Sequence, residues 1–152
     1  MHLTPDLLLR AYVCGIFPMA ESGDKPELYW VAPDRRGVLP LDGFHLPRKL
    51  RKTIRRQPFT VTVDADFKGV MRGCAAPAPG RERTWINDEI LTLYTELHQM
   101  GHAHSIEVRE GDELVGGLWR LHDEAGPFDH APHSLAGRHG AGSVRRARPP
   151  HA

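Results

Sequence analysis

The stretch from Thr84 to Leu118, TWINDEILTLYTELHQMGHAHSIEVREGDELVGGL, decides how the chain folds. Ile90, Leu93, Tyr94, Leu97 and Met100 recur at helical spacing and form one apolar stripe. Asn87 is placed to cap the helix, and Asp88 and Glu89 sit where the positive end of the helix dipole favours acids. Gly101 can take the left-handed conformation that ends a helix. The period then changes to two. Ser105, Glu107 and Arg109 alternate with His104, Ile106 and Val108, Glu110-Gly111-Asp112 turns the chain, and Glu113 to Leu118 returns. The spacing predicts one helix feeding one β-hairpin. Gly116-Gly117 inside the second strand signals a bulge or a close approach by another group.

Working outward, the 152 residues allow one domain, or a small and a medium one. A net charge of +1 excludes a globally basic protein, so any nucleic-acid contact has to be local. Two cysteines, Cys14 and Cys74, are too few for a disulfide framework, and a reducing, cytoplasmic setting is the simpler reading. Cys74 reads as a small buried thiol rather than a nucleophile, since nothing nearby activates it. Asp6 and Arg10 break the N-terminal apolar run, which argues against a signal peptide, and no stretch approaches the ~20 apolar residues of a membrane span. No membrane partner is expected.

Thr4-Pro5-Asp6 is a helix start that runs to Gly15. Ile16-Phe17-Pro18-Met19 reads as a rigid apolar turn, and Leu28 to Val31 and Gly37 to Leu41 as short strands. Pro47 to Arg56 is a helix of unusual charge. Arg48, Lys49, Arg51, Lys52, Arg55 and Arg56 are cationic, with only Leu50 and Ile54 as an apolar seam, and Arg48, Arg51, Lys52 and Arg55 share one face. Charge runs are usually solvated faces. Six cations in ten residues without nearby acids, in a nearly neutral protein, point instead to phosphate. Phe59 to Val63 alternates as a strand, and Asp66 to Cys74 is a short helix. A Pro/Gly/Arg loop, Ala75 to Arg83, leads to Trp85, which can be core or, beside Arg81 and Arg83, a stacking platform for a base. His102 and His104 would share one face of a strand, but no third ligand has convincing spacing, so structural roles are expected and no metal.

Several of these motifs occur together in one family. TWI, a helix, GHAHSIEV, a turn and DELVGGL closely resemble the bacterial leucyl/phenylalanyl-tRNA–protein transferases, as do LLLRAYVCGIFPMAE (Leu7 to Glu21), LYWVAPDRRGVLPL (Leu28 to Leu41) and FHLPRKLRKTIRR (Phe44 to Arg56). The resemblance runs from about Leu3 to Leu118. It implies an α/β (α+β) fold: a small N-terminal domain (1–38) and the first half of an acetyltransferase-like domain (39–118). It implies transfer of leucine or phenylalanine from aminoacyl-tRNA to a protein with N-terminal arginine or lysine, which tags that protein for degradation. The aminoacyl ester already carries the energy, so no cofactor is required. By the same resemblance, Arg48, Arg51, Lys52, Arg55 and Arg56 contact the tRNA body, and Trp85 lies beside the terminal adenosine. Met19 stands where an aromatic residue often follows Gly-Ile-Phe-Pro, so that contact is weakened or moved.

After Leu118 the resemblance stops. The family's Gly-Glu-Ser-Met-Phe motif, whose glutamate belongs to the catalytic centre, has no counterpart, so no catalytic residue is assigned. Residues 119–152 lack helical or strand period and hold half of the chain's ten histidines. They are expected to be a disordered tail outside the family pattern. A frameshifted or truncated gene is one origin, compatible with Trp119-Arg120 in place of Tyr-Gly; a lineage-specific basic tail and a metal-binding His-rich tail are others. The sequence therefore supports an aminoacyltransferase or, as the alternative, a non-catalytic tRNA-binding fragment or the non-functional product of a pseudogene. A sheet cut after its hairpin would leave an edge and an apolar face uncovered.

Overall fold

The computed structural model describes residues 3–35, 42–56, 58–121 and 133–135. They form a mixed α/β protein with two antiparallel sheets, one pairing β1 (Phe17–Ala20) with β2 (Leu28–Val31). The other has the order β3 (Thr60–Val63), β4 (Ala103–Glu110), β5 (Glu113–Leu121), β6 (His133–Leu135). Helix α1 (Pro5–Val13) precedes the first sheet, and α2 (Arg48–Arg55) lies between the sheets in sequence. Helices α3 (Phe67–Ala75) and α4 (Asp88–Gln99) separate β3 from β4. The expected strand at Gly37 to Leu41 lies outside the described residues.

The central stretch folds as its periodicity predicts. The Asn87 side chain accepts from the Ile90 amide at 2.9 Å and caps α4. Ile90, Leu93, Tyr94 and Leu97 are buried, while Met100, expected in the same stripe, is half exposed because the helix has already ended there. Gly101 has φ 83°, and Gly111 in the hairpin turn has φ 60°. One core joins the two halves: Leu8, Tyr12 and Ala20 pack with Phe67, Met71, Ile90, Tyr94 and Trp119. The hydroxyls of Tyr12 on α1 and Tyr94 on α4 share a buried hydrogen bond of 2.5 Å. The N-terminal unit thus has its own sheet but buries its apolar face against α4.

Three expectations change. Ile16 to Met19 is not a turn: Phe17 to Ala20 is a strand whose Pro18 and Ala20 are buried. Proline is accepted because a two-stranded sheet consists only of edges. His102 lies just before β4, so only His104 stands on the strand. The fold also does not stop at Leu118. Strand β5 continues to Leu121 and carries Trp119 into the core at 1% exposure. Residues 133–135 add β6, pairing Trp119 with His133 and Gly117 with Leu135. The rest of the expected tail lies outside the described residues.

The glycine pair does both things its position suggests. The register between β4 and β5 shifts at Val108/Arg109, a β-bulge opposite Leu114 to Gly116. At Gly117 an added Cβ would lie 2.8 Å from Cγ2 of Val70 and 3.2 Å from the Ile106 carbonyl oxygen. Helix α3 therefore approaches the sheet through this glycine. Gly117→Ala is expected to cost about 1 to 3 kcal/mol of stability by overpacking. In thermal melts, adding Val70→Ala should recover part of that loss; no recovery would place the strain elsewhere.

Candidate nucleic-acid interface

Helix α2 buries no residue, and its Ile54 is 53% exposed. It begins at Pro47 with no side-chain cap and no acid in its first turn. Arg48 and Lys49 instead sit at the positive end of the helix dipole, where cations are unfavourable. Among the described residues none of its cations is ion-paired. Spacing puts Arg48, Arg51, Lys52 and Arg55 on one face, with Lys49 and Arg56 flanking it. A helix built against its own electrostatics gains stability from an external anion. The regular spacing of the cations suits a phosphate chain better than one small ion.

Trp85 is half-buried, its ring 6.4 Å from that of Trp119 and tilted by 42°. Its surroundings are tied to the N-terminal residues. The Ala20 amide donates to the Trp85 carbonyl at 3.1 Å, and the Asn87 side-chain amide donates to the Lys25 carbonyl at 2.9 Å. Gly23 rests so closely on Thr84 that a Cβ would lie 2.8 Å from its methyl group. These contacts bring β1, and with it Met19, beside Trp85. Pro18 and Ala20 face the core, so Met19 points to the opposite, half-exposed side. A backbone bond thus joins the strand that carries Met19 to Trp85.

One expected cation is otherwise engaged. The Arg81 guanidinium donates to the carbonyls of Cys74 at 2.7 Å and Ala76 at 3.0 Å, closing the end of α3. Buried Cys74 donates to the Val70 carbonyl, and burial pushes its thiol pKa far up, which disfavours the thiolate. Two exposed aromatics went unnoticed in the sequence, Tyr29 at 49% and Trp30 at 43% exposure. The signal was available: adjacent strand residues point to opposite sides, so a Tyr-Trp pair cannot both face one core.

The least anticipated feature is a carboxylate network on the inward face of the larger sheet. Glu107 is fully buried. One oxygen accepts from the Ser105 hydroxyl at 2.6 Å and the Asp66 amide at 3.3 Å. The other accepts from the Thr62 hydroxyl at 2.7 Å and the Ala65 amide at 3.3 Å. Burial alone would raise its pKa; the four donors outweigh burial and hold it below the ordinary glutamate value. Asp64, at φ 56°, accepts from the Ser105 amide at 2.8 Å and lies 2.7 Å from Nδ1 of His104. Its pKa is likewise lowered: burial opposes, but His104 and the Ser105 amide prevail. Asp66 caps α3 through the Gly69 amide and accepts from Arg109 at 3.1 Å. Each of these acids is engaged by the fold.

The fold and its exposed helix define a class: a mixed α/β protein with a small N-terminal sheet packed with a larger one, displaying a cationic helix. Residues 38–125 match the family described as leucyl/phenylalanyl-tRNA protein transferase, and residues 1–34 match the N-terminal domain of the same proteins. The chain belongs to this family. It is 61% identical over 117 residues to the leucyl/phenylalanyl-tRNA–protein transferase of Rhodopseudomonas palustris (strain BisB18), covering 77% of this chain and 51% of that protein. It is 57% identical over 121 residues to the protein of that name from Rhodospirillum rubrum, covering 80% and 57%. For the Nitrobacter winogradskyi protein the identity is 59% over 118 residues, covering 78% and 52%. The chain thus spans about half the length of the curated relatives it matches. No helix among the described residues is long and apolar enough to cross a membrane.

Proposed function

We propose that this chain serves the transfer of leucine or phenylalanine from aminoacyl-tRNA to the N-terminal arginine or lysine of a protein in the cytoplasm, and that its part is to hold the tRNA. The observation that carries this reading is α2, whose cations have no acidic partner among the described residues. Arg48, Arg51, Lys52, Arg55 and Arg56 take the phosphate backbone. Trp85 and Met19 take the acceptor end, the indole stacking on the terminal base and the thioether packing beside it. In the reaction the neutral α-amine of the protein attacks the ester carbonyl. A C–N bond forms, the ester C–O bond breaks, and the tRNA 3′-hydroxyl leaves with the amine's proton. No cofactor enters.

A second reading, tRNA binding without turnover, is favoured by a specific observation. The step needs a proton acceptor, and the three acids of the inward network are engaged: Glu107 by four donors, Asp64 by His104 and Ser105, Asp66 by Arg109 and Gly69. Transfer of labelled leucine from leucyl-tRNA to a peptide with N-terminal arginine separates the two readings. We expect no transfer above background from the full chain, together with retention of the tRNA on it. Transfer above background would establish the enzyme; failure of both transfer and retention would sink the proposal as a whole.

A further inference from the structure

Helix α2 has 8 residues and buries none of them. No other helix or strand among the described residues packs closely on it. Isolated helices shorter than about 12 to 15 residues are marginal in water even when rich in alanine, because few hydrogen bonds repay the fixing of the first turn. Most helices in proteins are held by burying an apolar face, and α2 has no such support.

Its local stabilisers and destabilisers nearly cancel. Arginine, lysine and leucine are good helix formers, Leu50 and Ile54 meet at i, i+4, and Lys52 and Arg55 lie at the negative end of the dipole. Against these, Pro47 at the N-cap offers no side-chain acceptor to the first amides, and Arg48 and Lys49 face the positive end. Like charges stand at i, i+4 in Arg48–Lys52, Arg51–Arg55 and Lys52–Arg56. The Thr53 hydroxyl donates back to the Lys49 carbonyl at 3.2 Å, a bond that slightly weakens a helix. Phosphate changes this balance. Anions along the face of Arg48, Arg51, Lys52 and Arg55 remove the repulsion between those side chains, and only the helix holds the four on one face.

We propose that α2 exchanges between coil and helix in the free chain, and that the phosphates of tRNA select the helix, so that ordering α2 is part of the binding step. The inference rests on the tRNA-holding role given above. The apparent affinity is then lowered by the fraction of free chains in which α2 is already helical. Any change that favours the helix tightens binding without adding a phosphate contact.

Backbone Cα chemical shifts of the full chain, free and saturated with deacylated leucine tRNA, test this directly. For Arg48 to Arg55 we expect values between coil and helix in the free chain, with α4 at full helix values, and full helix values for both in the complex. Pro47→Ser with Thr53→Ala adds a cap and the best helix former while leaving every charge in place. That variant should tighten tRNA binding by about three- to tenfold. Its slope of log K against log salt should match that of the starting chain, which separates a shifted helix population from a new phosphate contact. Ile54→Pro forbids the helix and should weaken binding by about tenfold or more. Because α2 buries nothing, thermal melts of both variants should match the starting chain. Full helix values for α2 in the free chain overturn the proposal and leave the tRNA reading standing. So do a capped variant that binds no tighter or with a changed slope, and an Ile54→Pro chain that binds undiminished. Absence of any tRNA binding overturns both.

Discussion

Glu107→Ala should be the most damaging substitution of a charged residue in the protein, lowering stability by about 3 to 5 kcal/mol. The side chain is fully buried and ties β4 to β3 and to the residues just before α3 through four donors. Alanine leaves those donors in place with nothing to donate to. Glu107→Gln separates charge from shape. Hydroxyls of Ser105 and Thr62 can rotate to accept, but the amides of Ala65 and Asp66 can only donate, so one of them faces the new amide nitrogen. An intermediate loss follows. The sign of the pH dependence is fixed by the depressed pKa of Glu107 and of Asp64. Their stabilisation is present above the unfolded-state carboxyl values, about 4, and is lost as pH falls through the lower folded-state values. Urea titrations from neutral pH downward should show that acid loss, and Glu107→Gln should make it shallower. An unchanged acid limb would mean that Glu107 is not ionised in the folded protein.

Trp119→Ala should cost a similar amount, about 3 to 5 kcal/mol, from lost burial and the cavity left behind. The indole is 1% exposed and meets the edge of Tyr94 at 4.7 Å, with Phe67 at 6.3 Å and Trp85 at 6.4 Å between centroids. Trp119→Phe keeps part of that contact and should lose less. Chemical denaturation measures both; a loss below about 1 kcal/mol for the alanine variant would mean that β5 does not carry Trp119 into the core. Because Trp85 leans on Trp119, the alanine variant should also loosen the proposed acceptor-end site.

The parts of the fold that the sequence discloses are those set by local periodicity. The α4 stripe, the Asn87 cap, the Gly101 stop and the hairpin turn each depend on residues within a few positions of one another. What it conceals depends on distant partners. Pro18 looks like a turn until β2 supplies a pairing strand. Arg81 looks free until the end of α3 offers two carbonyls. Glu107 alternates as a surface residue should, and only Thr62 and the amides before α3 make its burial tolerable. Trp119 lies past the last of the recognisable motifs, yet its ring completes an aromatic cluster drawn from α3, α4 and the loop before it. For the candidate site, the charge of α2 is legible because it depends on composition alone, whereas the approach of β1 to Trp85 rests on a backbone bond between residues far apart in sequence, from the Ala20 amide to the Trp85 carbonyl.

The central claim is that α2 holds a nucleic-acid backbone, and the salt dependence of tRNA binding tests it most directly. For the full chain, log K should fall linearly with log salt, with a slope of about 0.7 to 0.9 for each phosphate neutralised. Arg51→Ala with Lys52→Ala should reduce that slope by about one to two units. A slope that these substitutions leave unchanged would make α2 a solvated face and contradict the account.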